Sequence, residues 1–325
     1  MSDPASATAQ WYDRFARLEA RGQSDVYEQW ALGVAADPAV LALIDELPRL
    51  RRQPNLVFAS ARLCGAPEGP YEAFRGWLVA HWPLVRAEAA HRLTQTNEAR
   101  RCAALLPALA AIDGPIALLE VGASAGLCLY PDRYSYSYDG VELHPAAGAS
   151  AVMLESSTNG PVPSRLPRIV WRAGIDLAPL DAANPDDRHW LETLVWPEQH
   201  ARRDLLRAAL DIVAADPPLL VAGDATDALE ALAAQAPRDA TLVVVSSGVL
   251  VYLVRAERDR FAEAVGGLDA TWVSLEAAGL FPAIADTVRE ARGLSQPGLD
   301  GRFALSVNQV PLALVGPHGQ FLDYL

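Results

Sequence analysis

A run of small residues follows an acidic residue at the end of an apolar stretch, and this combination could bind a ligand. The run is Gly122-Ala123-Ser124-Ala125-Gly126, and Glu120 precedes it at the end of the apolar residues 116–119. An apolar run of this kind favours a buried strand, and the glycines allow a backbone to come close to a bound group. The pattern therefore predicts a strand that presents a ligand at its carboxyl end.

Three templates fit the turn, and they belong to different classes of enzyme. The dinucleotide fingerprint requires glycine at positions 124 and 127, where the chain has Ser124 and Leu127. The nucleophile elbow of α/β-hydrolases matches letter for letter and would make Ser124 the nucleophile of an esterase, with His318 as the downstream histidine. That fold places several strands before the elbow, whereas the first 112 residues here have the periodicity of helices.

The third template is the first motif of class I S-adenosylmethionine-dependent methyltransferases, which this stretch resembles. In that motif small residues let backbone N–H groups approach the methionine carboxylate and the ribose. A carboxylate meets the ammonium or sulfonium side of the ligand, directly or through water. The resemblance implies a cofactor loop made of Glu120, Gly122, Ala123, Ser124 and Gly126.

Two later strands of the sequence also end in an acidic residue, Asp176 and Asp224. The methyltransferase resemblance implies that Asp176, beside Leu177, holds both ribose hydroxyls, because a carboxylate accepts two hydrogen bonds at once. It implies that Asp224 and the backbone of Ala225 hold the adenine. The alternatives are a turn or cap at the first aspartate and the N-cap of a helix over residues 226–235 at the second.

A fourth predicted strand, residues 241–247, has no polar interruption and suits the centre of a parallel sheet. Its carboxyl end is expected to face the cofactor and the methyl acceptor. We therefore add Ser246 to the cofactor candidates, and Ser247 and Tyr252 to the acceptor candidates.

Residues 1–112 are predicted to form an N-terminal helical cap of the kind that methyltransferases often use to recognise the acceptor. Near its end, Asn97, Glu98 and Arg101 precede the cofactor loop by about twenty residues. Arg101 could bind an acidic acceptor or the methionine carboxylate bidentately. The alternatives are a helix cap at residue 97 and a solvated helix face at the arginine.

Between the first two acidic strand ends lies an insertion, predicted as a β-hairpin near residues 130–165. Tyrosines recur there at every second position, and Asp139-Gly140 and Asn159-Gly160 are hairpin turn signals. The tyrosines, Tyr134 among them, either form a platform beside the site or pack on the sheet. Trp196 is a further candidate for the acceptor pocket.

Several phrases in the same order resemble a bacterial family catalogued as domain of unknown function 2332. The resemblance implies a methyltransferase-like fold and no established reaction. The phrases are Gln95-Thr96-Asn97-Glu98, Pro131-Asp132-Arg133-Tyr134, Gly174-Ile175-Asp176-Leu177, Val195-Trp196-Pro197-Glu198-Gln199 and Gly223-Asp224-Ala225.

Composition excludes several kinds of chemistry. The 325 residues carry a net charge of −13, which disfavours nucleic acid and anionic membranes as partners. All 27 basic residues are arginine, so neither a phosphate-loop lysine nor a lysine Schiff base is available. Three cysteines without a C-x-x-C pair and six scattered histidines give no metal-site spacing. The start has no secretory pattern, and we expect a cytoplasmic protein.

The sequence thus predicts a Rossmann-like class I methyltransferase fold over residues 113–325. The expected sheet is mostly parallel and seven-stranded, with an antiparallel last strand. The cofactor would be S-adenosylmethionine and the acceptor a small molecule. No residue is assigned as catalytic. The alternatives are an esterase that uses Ser124 and a non-catalytic binding protein that retains the fold.

Overall fold

Within the residues that the structure describes, eleven α-helices and eleven strands form a mixed α/β architecture. The computed structural model describes residues 7–95, 97–293, 299 and 301–325. The helices are α1 Ala7–Phe15, α2 Asp25–Ala35, α3 Pro38–Ile44, α4 Pro54–Leu63, α5 Tyr71–His91, α6 Arg101–Ala110, α7 Pro185–Leu194, α8 His200–Ala215, α9 Ala225–Ala233, α10 Arg255–Gly266 and α11 Pro282–Arg292. The strands are β1 Pro115–Val121, β2 Ser135–Tyr138, β3 Val141–Leu143, β4 Met153–Thr158, β5 Arg168–Asp176, β6 Leu219–Ala222, β7 Thr241–Ser247, β8 Thr271–Ala277, β9 Phe303–Val307, β10 Val310–Val315 and β11 Phe321–Tyr324.

The chain divides into two units, each with its own core. The first joins the described part of Met1–Thr96 to Asn184–Arg207, and the second joins Asn97–Ala183 to Ala208–Leu325. The sequence prediction placed its boundary after residue 112, so α6 belongs to the second unit here rather than to the helical cap.

Aromatic packing forms the core of the helical unit. The rings of Trp30 and Phe74 are stacked with centroids 3.8 Å apart, and Phe58 meets both edge-on. The helix ends follow local sequence signals: Ser24 caps α2 through the backbone N–H of Tyr27, and Asp37 caps α3 ahead of a proline.

One sheet of eleven strands organises the second unit, in the order β3-β2-β4-β11-β10-β9-β8-β7-β1-β5-β6. The five neighbours β6, β5, β1, β7 and β8 are parallel. Consecutive strands fall first on one side of β1 and then on the other, so the topological switch point lies at the carboxyl end of β1. On one face of the sheet the core includes Leu119, Val244, Phe261 and Trp272. Helix α6 packs against β4, β8 and β9.

The sheet differs from the predicted one in size and in its closing strands. Eleven strands replace seven, because β11 adds one strand beyond β10 and the insertion adds β2, β3 and β4 through the parallel pairing of Phe321 in β11 with Ser157 in β4. The antiparallel strand next to β8 is β9, and β10 and β11 continue the sheet beyond it.

The insertion contains the predicted hairpin, formed at one of the two turn signals. Asp139-Gly140 joins the antiparallel strands β2 and β3 as predicted. Asn159-Gly160 instead follows β4, and the Asn159 side chain donates to Asp323 and accepts from the backbone N–H of Tyr324. A turn signal thus fixes the local bend but not the strand that follows it.

Among the helices within the described residues, none has the length and the apolar character needed to cross a membrane.

Candidate functional site

The three acidic strand ends that the sequence singles out lie on adjacent parallel strands. Glu120 in β1 is level with Gly174 in β5, and Asp176 at the end of β5 is level with Ala222 in β6. Asp224 follows two residues after that alanine. Each acidic residue therefore lies two positions further along its strand than the one before it, at the sheet edge where α/β proteins bind ligands.

The turn after β1 takes a backbone conformation that only small residues tolerate. Gly122 and Gly126 have φ values of 74° and 78°. A Cβ on Gly122 would lie 2.5 Å from Cγ2 of Val249, and a Cβ on Gly174 would lie 2.4 Å from the Cβ of Ala123. The turn therefore packs tightly against its neighbours, and side chains would displace it.

Ser124 occupies the centre of this turn with a φ of 51°, which is uncommon for a residue other than glycine. Its backbone N–H donates to Oδ2 of Asp176 at 2.8 Å. Its hydroxyl accepts from Nδ2 of Asn97 at 2.5 Å, and Oδ1 of Asn97 accepts from the N–H of Ala125 at 3.1 Å. Two side chains from different elements thus hold the turn in place.

The Asp176 carboxylate bridges the turn and its own strand end. Oδ2 accepts from Ser124, and Oδ1 accepts from the N–H of Ala178 at 2.9 Å. The carboxylate therefore ties the turn after β1 to the segment that follows β5. Leu177 beside it is 73 % exposed.

Glu120 is the most unusual group at this edge. Its residue surface is 5 % exposed, and Oε2 is buried with no hydrogen-bond partner among the described residues. Burial raises the pKa of Glu120 well above its usual range, and the nearby Cys128 and Asp176 raise it further, against the opposing effect of Arg101. Burial therefore favours the neutral form of this carboxyl, and one of its oxygens is removed from water without gaining a hydrogen-bond partner among the described residues.

Asp224 is exposed and caps α9 by accepting from the N–H of Thr226 at 2.8 Å. Ala225 is the first residue of that helix. The structure therefore gives this aspartate the capping role that the sequence offered as its alternative. One carboxylate can cap a helix and still accept a further hydrogen bond.

The end of β7 lies beside β1, with Ser246 level with Val121. The Ser246 hydroxyl accepts from Nε1 of Trp272 at 3.2 Å inside the sheet. Ser247 is buried, and its Oγ has no hydrogen-bond partner among the described residues. Tyr252 is 76 % exposed, in the short 3₁₀ turn after this strand.

Two predicted acceptor residues at the start of α6 are buried ionisable groups. Glu98 lies 3.7 Å from Nδ1 of His318. Arg101 donates from Nη1 to the carbonyl oxygen of Ser247 at 2.7 Å and from Nε to that of Pro317 at 3.2 Å. Asn97, Glu98 and Arg101 therefore surround the turn and the end of β7 rather than forming a solvated helix face.

Two further acceptor candidates, Tyr134 and Trp196, make packing and hydrogen-bond contacts that stabilise the fold. Tyr134 is fully buried and donates to the carbonyl oxygen of Leu127 at 2.7 Å, and Tyr136 and Tyr138 also donate to backbone carbonyls. These tyrosines pack on the sheet and form no exposed platform. Trp196 belongs to the helical unit, where its ring packs against Phe15 and its Nε1 donates to Asn55.

Sequence reasoning did not include Glu276, although the same rule of an acidic residue after an apolar strand finds it. Glu276 is 3 % exposed in β8 and accepts from the N–H groups of Val249 and Leu250. Burial raises the pKa of Glu276 to about 7, against the opposing effect of those N–H groups and of Arg101. Within the described ranges, no three His, Cys, Asp or Glu side chains are grouped to hold a metal ion.

A family model described as "Uncharacterized protein conserved in bacteria (DUF2332)" matches residues 9–324. No curated protein and no solved structure is a significant match. The match covers nearly the whole chain, including every strand end described above. The protein therefore belongs to this bacterial family.

Proposed function

We propose that this protein is an S-adenosylmethionine-dependent methyltransferase of class I architecture that acts on a small-molecule acceptor. The observation that carries the proposal is the Glu120 carboxyl group, buried with one oxygen unpartnered at the switch point of a parallel sheet. A polar group that loses water without gaining a partner costs about 1–3 kcal/mol. A cationic ligand would recover that cost, and S-adenosylmethionine carries both a sulfonium and an ammonium group.

The turn after β1 supports the same ligand through its shape. Left-handed glycines at 122 and 126 and the missing side chain at Gly174 allow the tight bend of this turn and let its backbone come close to a bound group. In the proposed complex this turn faces the methionine and ribose parts, Asp176 holds the ribose hydroxyls, and Asp224 with Ala225 holds the adenine.

Bound S-adenosylmethionine would supply an activated methyl group for in-line displacement by a lone pair of the acceptor. The contribution of this chain is to orient the two reactants and to exclude water. Such positioning can contribute several kcal/mol, up to about 7–11. An acid–base pair is therefore not required, and no residue is assigned as catalytic.

The backbone at Ser124 is the one observation that favours the esterase alternative. A φ of 51° is compatible with a strained nucleophile turn. However, its hydroxyl accepts from Asn97, and His318 lies against Glu98. A three-residue 3₁₀ turn, not an α-helix, follows. Ester hydrolysis that Ser124→Ala abolishes would favour this alternative, and cofactor binding without turnover would favour the non-catalytic one.

Equilibrium binding to aspartate variants tests the site assignment. We expect saturable binding of S-adenosylhomocysteine by titration calorimetry, weakened about tenfold or more in Asp176→Asn and severalfold in Asp224→Asn, as expected for the loss of hydrogen bonds to a charged group. Asp227→Asn is the matched control, since it removes an exposed carboxylate from the same first turn of α9. Equal affinities in all four proteins would remove both aspartates from the site.

A further inference from the structure

The Arg101 guanidinium is buried without a counter-ion. The residue is 8 % exposed, and its two hydrogen bonds go to the carbonyl oxygens of Ser247 and Pro317. It also lies over the Phe303 ring, 5.8 Å from its centroid. In the described part of the chain it forms no ion pair with a carboxylate. A buried charge is normally paired, because its desolvation is costly.

The guanidinium has donors to spare. It carries five N–H groups in a planar fork, and the two carbonyls engage only part of that capacity. The Ser247 hydroxyl next to it is also buried and lacks a partner among the described residues. At the end of β7, an unpartnered hydroxyl therefore lies beside a guanidinium that has further donors to offer.

The backbone next to Arg101 leaves space at this point. Gly248 has a φ of 64°, and a Cβ there would lie 2.9 Å from Nη2 of Arg101. Glycine thus keeps one edge of the guanidinium free of a neighbouring side chain.

The location of Arg101 is on the acceptor side of the proposed site. Its partners come from the end of β7, the start of β9 and the segment after β10. Of the three acidic residues assigned to the cofactor, Glu120 lies in β1 at the switch point, and Asp176 and Asp224 lie at the ends of β5 and β6, on the side away from β7. A group bound to Arg101 would therefore lie beside the cofactor rather than within its footprint.

We propose that Arg101, with the Ser247 hydroxyl, binds a carboxylate group of the methyl acceptor, so that the substrate is a small carboxylic acid. This inference rests on the proposed function for the identity of the reaction, but the anion site itself does not. A guanidinium and a carboxylate match in bidentate geometry.

Charge favours a carboxylate over a phosphate. One arginine supplies a single positive charge, and the sequence has no lysine to add a second. Arg101 lowers the pKa of Glu120 and of Glu276, so these carboxyls, when ionised, share its single positive charge and would oppose a second negative charge on the ligand. This balance of charges around Arg101 therefore favours a ligand with one negative charge.

Calorimetric titration of the full chain, saturated with S-adenosylhomocysteine, tests the proposal. The probes are carboxylic acids from acetate and benzoate to indole-3-acetate, each paired with its neutral primary amide. The variants are Arg101→Gln and, in case that protein does not fold, Ser247→Ala. The matched control is Arg100→Gln, which removes a neighbouring arginine that lines a surface groove with Asp139 and Glu155.

We expect at least one acid to bind about tenfold or more tightly than its amide in the wild type and in Arg100→Gln. That preference should vanish in Arg101→Gln and fall severalfold in Ser247→Ala, while affinity for S-adenosylhomocysteine stays within twofold. Binding of no acid more tightly than its amide would overturn the proposal. So would a loss confined to S-adenosylhomocysteine affinity in Arg101→Gln, which would give the arginine to the cofactor.

If the wild type binds no S-adenosylhomocysteine but retains an Arg101-dependent preference for acids, the anion site stands and the methyltransferase assignment fails. The two ideas are therefore separable in one set of titrations.

Discussion

Glu276 shows what burial does to a carboxyl group at the end of a strand. Two backbone N–H groups and a nearby guanidinium favour its ionised form, yet desolvation outweighs them and raises its pKa to about 7. Its oxygens hold the turn that contains Val249, whose side chain packs over Gly122. The carboxyl therefore positions Val249 against the turn that follows β1.

Stability should fall as pH rises through this range. The folded-state pKa of Glu276 lies above its ordinary value of 4.5, so its contribution is complete below about pH 4.5 and is lost as pH rises through about 7. The loss amounts to about 3 kcal/mol. Glu276→Gln should therefore show a flatter dependence of unfolding free energy on pH between 5 and 8, as measured by urea denaturation.

Glu263→Gln in α10 is the control, because this exposed residue leaves the buried carboxyl in place. It should keep the wild-type slope. A Glu276→Gln protein with the same slope as the wild type would show that this group does not titrate as described.

At the residue scale, sequence patterns predicted where the acidic residues lie in the fold but not what surrounds them. An acidic residue after an apolar strand located Glu120, Asp176 and Asp224 at one sheet edge. The pattern could not show that Glu120 is buried and that Asp224 is an exposed cap. Those differences arise from neighbours far along the chain, such as Arg101 and Cys128 around Glu120.

At the scale of elements, the turn that follows β1 is fixed both by its backbone conformation and by contact with a neighbouring side chain. Gly122 combines a φ of 74° with a neighbour that leaves no room for a Cβ. Gly140, in the hairpin of β2 and β3, has a φ of 88° and no atom near its potential Cβ. Substitutions at these two glycines therefore distinguish the cost of backbone strain from the cost of steric overlap.

Gly140→Ala should cost about 1–2 kcal/mol of stability through its left-handed backbone alone. Gly122→Ala should cost about 1–3 kcal/mol more because the new methyl overlaps Val249. Chemical denaturation of both variants measures the difference. Adding Val249→Ala should restore part of the Gly122→Ala loss, and equal costs at the two glycines would contradict the packing described here.

Element prediction succeeded where hydrophobic pattern and short connections decide the outcome. The parallel strands β1, β5, β6 and β7 lie where apolar runs and acidic strand ends indicated. The extension of the sheet by the insertion was missed, since β4 pairs with β11 about 160 residues later and no local signal specifies that partner. The period-two tyrosines marked β2 as a strand but not its burial.

Over the whole molecule, each of the two units is built from two separate stretches of the chain. Residues 184–207 belong with the first helices, and helix α6 belongs with the sheet. Arg62 donates to the carbonyl oxygens of Thr193 and Val195 inside the helical unit. Contacts of this range carry no local sequence pattern, so a boundary drawn from helix periodicity alone could not include them.

A fragment of residues 113–325 should therefore not fold cooperatively. It lacks α6, whose Leu105, Leu106 and Leu109 are fully buried, and it strips residues 184–207 of the helices that cover Trp190. Size-exclusion chromatography and thermal melts beside the full chain measure this. A monomeric fragment with a sharp melting transition would contradict the division described here.

The central claim is that the buried carboxyl of Glu120, at the switch point, binds a cationic adenosyl ligand. The most direct test is titration calorimetry of S-adenosylmethionine into the full chain at pH 5.5 and 7, with Glu120→Gln alongside. Because burial raises the pKa of Glu120 and a cation favours its ionised form, binding should release a proton, and wild-type affinity should rise with pH, by up to about tenfold per pH unit. Glu120→Gln should bind more weakly and without that rise. Absence of saturable binding to the wild type, or identical pH dependence in the two proteins, would contradict the account.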